Sequence, residues 1–167
     1  MVDNYQETPS EEVFNCLTHA LAAVVSLAGL GAFMERHWNQ PLTLLSTVVF
    51  GFTLMLMFSA SAVYHGCRDV ELKKRLQIFD HVAIYLLIAG SYTPYCLLVL
   101  EPSHGLPVLG LVWVLAAVGI MFEIRFGIRY QTVGLCLYLT LGWMCTLILP
   151  HLIRALCKPS LGWLLLG

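Results

Sequence analysis

Residues Leu42 to Tyr64 read LTLLSTVVFGFTLMLMFSASAVY, a run without a single charged side chain. A membrane-spanning helix needs about 20 apolar residues to cross a hydrocarbon core roughly 30 Å thick. Four more apolar stretches of similar length lie in the chain, at Asn15–Met34, Phe79–Leu100, Leu106–Phe122 and Thr132–Leu149. The sequence therefore predicts an all-α, polytopic membrane helix bundle with five complete transmembrane helices.

The composition agrees with a chain that is solvated mainly by lipid. Hydrophobic residues make up 59% of it and charged residues only 11%, against about 25% charged residues in soluble domains. A net charge of -1 provides no basic field for nucleic acid, so we expect membrane lipids as partners and no nucleic acid. The six cysteines show no paired spacing, which argues against a cysteine zinc site. Nothing in the sequence indicates a protein partner or an oligomeric state.

The breaks between the apolar stretches are short and rich in charged residues and proline, so no soluble domain fits between them. We expect an N-terminal tail over residues 1–14 and one transmembrane domain over residues 15–167. The last run, Leu161 to Gly167, is apolar but too short to cross a bilayer. It is interpreted as the start of a sixth helix, which predicts a chain that is truncated and incomplete at its C-terminus.

Lysine and arginine counts predict the orientation, because these residues concentrate on the cytoplasmic side. Six lie on the side of the N-terminus and three on the other: Arg68, Lys73, Lys74, Arg75, Arg125 and Arg129 against Arg36, Arg154 and Lys158. The excess favours a cytoplasmic N-terminus.

Three polar residues enter the first span at helical spacing. Glu12, Asn15 and His19 are placed i, i+3 and i+7, which puts them on one helix face. Ionisable groups at membrane depth cost several kcal/mol unless paired or hydrated, so this face is expected to look into the bundle. The alternative interpretation is structural: Asn15 and His19 hydrogen-bond neighbouring helices, and Glu12 caps a helix start.

A second polar group is expected where spans two and three approach the cytoplasm. Ser61 and His65 are spaced i, i+4 on one face of span two, a place where a metal or a catalytic water could be held. Asp80 opens span three on the same side, after a loop of about fifteen residues. Two alternatives stay open: His65 only solvates the interface, or Asp80 is the N-cap of span three.

Other polar residues carry weaker signals. His37, His104 and His151 fall in or beside loops on the opposite side of the membrane, and we interpret them as interfacial residues that are poor ligand candidates. Pro94 lies within span three and is expected to kink it, with Ser91 or Thr93 satisfying the freed backbone groups.

Three ordered motifs together, Glu12 to His19, Ser61 to His65 and Asp80 to Pro94, resemble the hemolysin III family, the bacterial branch of the progestin and adipoQ receptor group. The resemblance extends through Gly142 and Trp143 and so covers nearly the whole chain. It implies a seven-helix bundle in the cell (inner) membrane with a cytoplasmic N-terminus. On that basis the chain is missing its last helices.

The same resemblance implies a zinc site near the cytoplasmic face. By likeness to the wider superfamily, which includes adiponectin receptors and alkaline ceramidases, His65 is a metal ligand, and Ser61 and Asp80 hold the zinc-bound water. The other two ligands would come from an HxxxH motif in the last helix, which this sequence lacks, so we expect the 167-residue chain to hold zinc weakly or not at all.

Three functions follow from the resemblance. The first is a zinc-dependent membrane hydrolase acting on a lipid amide or ester. The second is a pore-forming cytolysin or channel-like protein, and the third is a membrane sensor in lipid homeostasis. The polar residues favour the hydrolase, because they gather at one membrane depth, whereas a conducting path needs them along a whole helix face.

Overall fold

The start of each long helix follows from local sequence. In the computed structural model, which describes residues 8–127, 129–157 and 160–162, Pro9, Pro41 and Pro102 occupy first-turn positions, where proline costs no hydrogen bond. The helices are α1 (Pro9–His37), α2 (Pro41–Gly66), α3 (Val70–Pro94), α4 (Pro102–Phe126), α5 (Gln131–Trp143) and α6 (Cys145–Ala155), with a π-helical segment at Tyr95–Val99.

Within the described residues, five helical segments are long and apolar enough to cross a membrane. They are Pro9–His37, Pro41–Gly66, Val70–Val99, Pro102–Phe126 and Gln131–Ala155, the last formed by α5 and α6 together. Four contain a predicted stretch completely and the third contains all of its stretch except Leu100, which confirms the all-α membrane bundle with five transmembrane helices. Most of the predicted start of a sixth helix, residues 163–167, lies outside the described residues.

The two alternative interpretations in which Asp80 or Glu12 caps a helix are wrong. Helix α3 begins at Val70, and its N-cap is Asp69, whose carboxylate accepts from the Leu72 backbone N–H at 2.7 Å. Asp80 therefore lies inside α3 and does not open it. The error has a physical cause: the charged segment before Asp80 is less apolar than a span, but lysine, arginine and glutamate are good helix formers, so the helix extends beyond the hydrocarbon region.

Helix α1 likewise starts before the first apolar stretch. Its N-cap is Thr8, which forms a capping box with Glu11, so Glu12 is not the cap. Residues 9–14 of the predicted tail are helical and continuous with the first span. The division between tail and membrane domain at residue 14 stays a prediction.

Consecutive helices pack against each other, α1 on α2, α2 on α3 and α3 on α4. The most deeply buried apolar side chains lie between α3, α4 and the fifth span, including Tyr85, Tyr92, Val112, Ala116 and Leu141. By contrast, α1 buries no residue completely. Its exposed leucine, valine and phenylalanine side chains suit contact with lipid.

The predicted disturbance at Pro94 takes the form of the π-helical segment. Because Pro94 has no N–H, the normal helical bond to the carbonyl four residues earlier is lost. Beyond it the Leu100 N–H donates to the Tyr95 carbonyl at 3.0 Å, a bond that spans five residues. Thr93 donates to the Ala89 carbonyl at 3.1 Å, and Ser91 donates to that of Ile88 at 2.8 Å. Both hydroxyls are thus satisfied within α3.

The contact between α2 and α3 requires a glycine. A Cβ at Gly90 would overlap the Thr53 hydroxyl and lie 3.0 Å from Thr53 Cβ. Thr53 cannot easily yield, because its hydroxyl donates to the carbonyls of Val49 and Phe50. We expect Gly90→Ala to lower the free energy of unfolding by about 1–3 kcal/mol through overpacking, measured as a lower thermal midpoint in detergent.

Gly110 provides the matched control, since a Cβ there would meet nothing within 4 Å. Gly110→Ala should leave the midpoint unchanged or raise it, because alanine is the better helix former. Equal effects of the two substitutions would contradict the described packing of α2 on α3.

Candidate functional site

Three charged or ionisable side chains from three helices form a chain at the end of the bundle where α1 and α3 begin. Glu12 Oε2 lies 2.9 Å from His65 Nδ1, and Glu12 Oε1 accepts from Lys73 Nζ. The His65 side chain is 10% exposed, and the other two are about one quarter exposed. Lys73 Nζ also lies 5.0 Å from the centre of the Tyr64 ring, a cation–π contact. The arrangement joins α1, α2 and α3 at this end.

The Glu12 contact defines the tautomer of His65. A carboxylate that is ion-paired to a lysine can only accept hydrogen bonds, so His65 Nδ1 carries the proton that it donates. In the neutral ring Nε2 then keeps its lone pair. The carboxylate thereby fixes the orientation of the His65 ring.

His19 lies next to His65 on the neighbouring helix. Its ring centroid is 5.7 Å from that of Phe58 and 5.9 Å from that of His65, both in edge-to-face geometry. Its Nδ1 atom is buried and has no hydrogen-bond partner within the part of the chain that the structure describes. Glu12 and His19 thus both face α2, and Asn15 lies half-buried between them on α1.

Ser61 and Asp80 meet across the interface between α2 and α3. Ser61 is buried, with 4% of the residue exposed, and its hydroxyl interacts with the Asp80 carboxylate. The imidazoles of His65, His81 and His19 all act electrostatically on this carboxylate. The predicted site residues therefore fall into one neighbourhood, although Asp80 reaches it from the third turn of α3 and not from a helix start.

The sequence patterns did not indicate Glu123, the most deeply buried charged residue in the part of the chain that the structure describes. Glu123, near the end of α4, is 2% exposed, and its Oε1 lies 2.7 Å from His81 Nδ1. It comes one residue after the predicted fourth span, so it is not among the polar residues that the sequence places at membrane depth. Helical spacing could have revealed it, because Glu123 follows Val112, Ala116 and Gly119 on the buried face of α4.

Glycines make the space that Glu123 occupies. A Cβ at Gly127 would overlap Glu123 Oε1, and one at Gly134 would lie 2.8 Å from Oε2. Oε2 is buried and has no partner among the described residues. The Gly134 carbonyl accepts from the Tyr85 hydroxyl at 3.2 Å. The α5 backbone therefore closes over the His81–Glu123 pair.

The donor set does not fit a complete zinc site. Catalytic zinc takes three protein ligands, and within the described residues no group of three or more His, Cys, Asp or Glu side chains is arranged to hold a metal ion. His65 Nε2 is a suitable single donor, and His19 Nδ1 lies in the neighbouring ring. Asp80 is engaged by Ser61. We therefore derive no chemistry through a metal from these residues.

Five apolar spans with ionisable side chains gathered at one end define a multi-pass membrane protein with a polar site at one interface. A family model described as Haemolysin-III related matches residues 8–167. The chain belongs to the haemolysin III family.

Similar proteins include the Hemolysin-3 homolog of Bacillus subtilis, 32% identical over 162 residues, which cover 96% of this chain and 76% of that protein. Hemolysin-3 of Bacillus cereus is 32% identical over 160 residues, covering 94% and 73%. The human monocyte to macrophage differentiation factor is 29% identical over 158 residues, covering 89% and 64%. No solved structure matches the chain.

The His81–Glu123 pair offers a direct test of the buried site. His81→Leu would leave the Glu123 carboxylate buried without its partner, and breaking such a pair costs about 3–5 kcal/mol. We expect a large fall in the thermal midpoint in detergent. The double variant His81→Leu with Glu123→Leu should recover much of that loss, because no charge is left unpaired. A double variant less stable than His81→Leu alone would show that the pair is not coupled as described.

Proposed function

We propose that this chain carries the polar site of a membrane hydrolase that cleaves a lipid amide or ester near the cytoplasmic interface. The proposal is supported by one observation above all: Glu12, His65, Ser61 and Asp80 come together at one end of a bundle whose helices are mostly apolar. Ionisable groups at membrane depth mark functional sites more often than structural ones. A hydrolase needs such groups at one depth only, where the bond to be cleaved lies.

A groove on the surface supports a lipid substrate. It has a volume of about 580 Å³ and runs between the start of α1 and the junction of α2 with α3. Val13 and Leu17 supply apolar wall, whereas Glu12, His65 and Lys73 supply polar wall. An amphipathic molecule fits such a lining, with its chain along α1 and its polar linkage beside His65. Exposure of the apolar face of α1 gives access from the bilayer.

The proposed reaction assigns roles to Asp80 and Ser61. Asp80 accepts a proton from a water molecule as the water oxygen attacks the substrate carbonyl carbon. Ser61 positions the Asp80 carboxylate through the interaction of its hydroxyl with that carboxylate. When the bond from carbon to the leaving nitrogen or oxygen breaks, the proton returns from Asp80 to the leaving group, so protons balance. Zinc, which the resemblance implies, has no step here, because the described donors do not form a three-ligand site.

The names of the two bacterial relatives favour a second candidate function, a pore-forming cytolysin. Against it stands the location of the ionisable groups: Glu12, His65, Asp80 and the His81–Glu123 pair all lie toward one end of the bundle. A conducting path would need polar side chains at successive depths. Release of a trapped dye from vesicles distinguishes a pore from a hydrolase.

The hydrolase is tested with the purified 167-residue chain in vesicles that contain fluorescent ceramide and phospholipid substrates. Asp80→Asn should reduce turnover by about 10²–10⁴-fold, the usual contribution of a general base. Asp69→Asn is the control, because asparagine caps α3 as well as aspartate does. Turnover unaffected by Asp80→Asn would disprove this site. Dye release without any lipid cleavage would favour the pore.

We also propose that the N-terminus and the start of α3 face the cytoplasm, in a cell (inner) membrane. The test uses single cysteines in a background without the six native ones. An impermeant thiol reagent applied to intact cells should label Asn39→Cys, in the turn between α1 and α2, but should label Lys74→Cys only after permeabilisation. Both positions are exposed in the structure. The reverse labelling pattern would invert the orientation.

A further inference from the structure

His104 and His151, which the sequence predicts to be interfacial residues, lie side by side at the end of the bundle opposite Glu12. His104 lies in the first turn of α4 and His151 in α6, and their ring centroids are 5.1 Å apart with 34° between the ring planes. Glu101 and Arg154 border the same cavity, whose volume is about 430 Å³. Both histidines are exposed, so the cavity is open to dissolved ions.

Both imidazoles have nitrogens available for a ligand. His104 Nδ1 pairs with the Ser103 hydroxyl at 3.1 Å, which leaves Nε2 of His104 free of that contact. Over the described parts of the chain, neither His151 nitrogen has a hydrogen bond to the protein. Neutral imidazole is a preferred ligand of Zn²⁺, Cu²⁺ and Ni²⁺, whereas Mg²⁺ and Ca²⁺ prefer oxygen. The chemistry of this pair therefore suits a transition metal.

The ring separation suits one shared ion. With Zn–N bonds of about 2.0–2.1 Å and each ring centre roughly 1.2 Å beyond its nitrogen, two imidazoles on one tetrahedral ion have centroids about 5.2 Å apart. The observed 5.1 Å agrees with that value. Small side-chain rotations suffice to point both nitrogens at a common centre, because neither ring is buried.

We propose that His104 and His151 form a binding site for a divalent transition metal ion, with water completing the coordination. The described residues add no third nitrogen or sulfur ligand. Binding is therefore reversible, and much weaker than at a three-ligand site. Glu101 in the same cavity offsets the charge of Arg154 and limits its repulsion of the cation. The site is independent of the hydrolase proposal, because it lies at the other end of the bundle.

A bound ion would link the fourth span to the fifth. His104 belongs to α4, and His151 to α6, the second half of the fifth span. Helix α6 also contacts the π-helical segment, and Val99 and Leu100 border the metal cavity. The ion would therefore stabilise the part of the bundle where α3 ends and the π-helical segment follows. Binding to the folded protein alone raises its thermal midpoint.

The test is a titration of the purified chain with Zn²⁺ by calorimetry in detergent, without a polyhistidine tag. We expect saturable binding of one ion and a higher thermal midpoint, with Mg²⁺ having no effect. His104→Ala and His151→Ala should each weaken binding by about ten-fold or more, because half of the protein ligands are lost. His37→Ala is the control, since His37 lies at the same end but pairs with Gln40 at 3.3 Å.

His65→Ala separates this site from the hydrolase site. Binding that is retained in His65→Ala and lost in His104→Ala supports the proposal, whatever the outcome of the lipid assays. Binding that survives replacement of both His104 and His151, or that is lost in His65→Ala alone, overturns it. Absence of saturable Zn²⁺ binding to the unmodified chain overturns it as well. Because both side chains are exposed, their replacement leaves the packing of the bundle intact.

Discussion

Glu12 accepts two charge-assisted hydrogen bonds, one from His65 on α2 and one from Lys73 on α3. A carboxylate at the edge of a bilayer is stable only when its charge is compensated, and these two partners compensate it. Because the partners sit on different helices, satisfying one charge brings three helices together at one end. The hydrogen bond from His65 to Glu12 also orients the imidazole ring. The need to compensate the charge of Glu12 therefore also determines the geometry of the site.

This constraint matters most for α1. The helix buries no residue completely and packs mainly along α2. Apolar contacts in a bilayer provide little net attraction between helices, because lipid chains are as apolar as leucine. Polar contacts then carry more of the specificity. Glu12 and the ring contacts of His19 with Phe58 and His65 fix the position of α1 beside the site, whereas its outer face remains available to lipid.

Hydropathy predicted the five spans because the bilayer imposes a length and an apolar content on each helix. It did not predict helix ends in the charged segments. Asp80 was taken for a possible cap because the residues before it are charged, yet they continue the helix from Asp69. Spacing along α1 and α2 was enough to place Glu12, His19 and His65 on inward faces, since helix periodicity is a local property.

Contacts between segments that are far apart in the sequence could not be predicted from it. Glu123 pairs with His81 because α3 and α4 pack side by side, and no local pattern marks that choice. The meeting of His104 with His151 is of the same kind, since it depends on how the fifth span crosses the start of α4. Such pairs are decided by the tertiary arrangement of the helices.

The glycines around Glu123 have an evolutionary consequence. A Cβ at Gly127 or Gly134 would overlap the carboxylate, so a larger residue at either position requires Glu123 to shift. A shorter side chain at position 123 would relieve the contact at Gly134 but not the overlap between a Cβ at Gly127 and the backbone carbonyl oxygen of residue 123, and it would leave His81 without its partner. Substitutions are therefore coupled among four positions, namely 81, 123, 127 and 134. Evolution can replace this combination of residues in two ways. Single substitutions pass through proteins that are less stable, whereas the alternative is to change several of the four positions together.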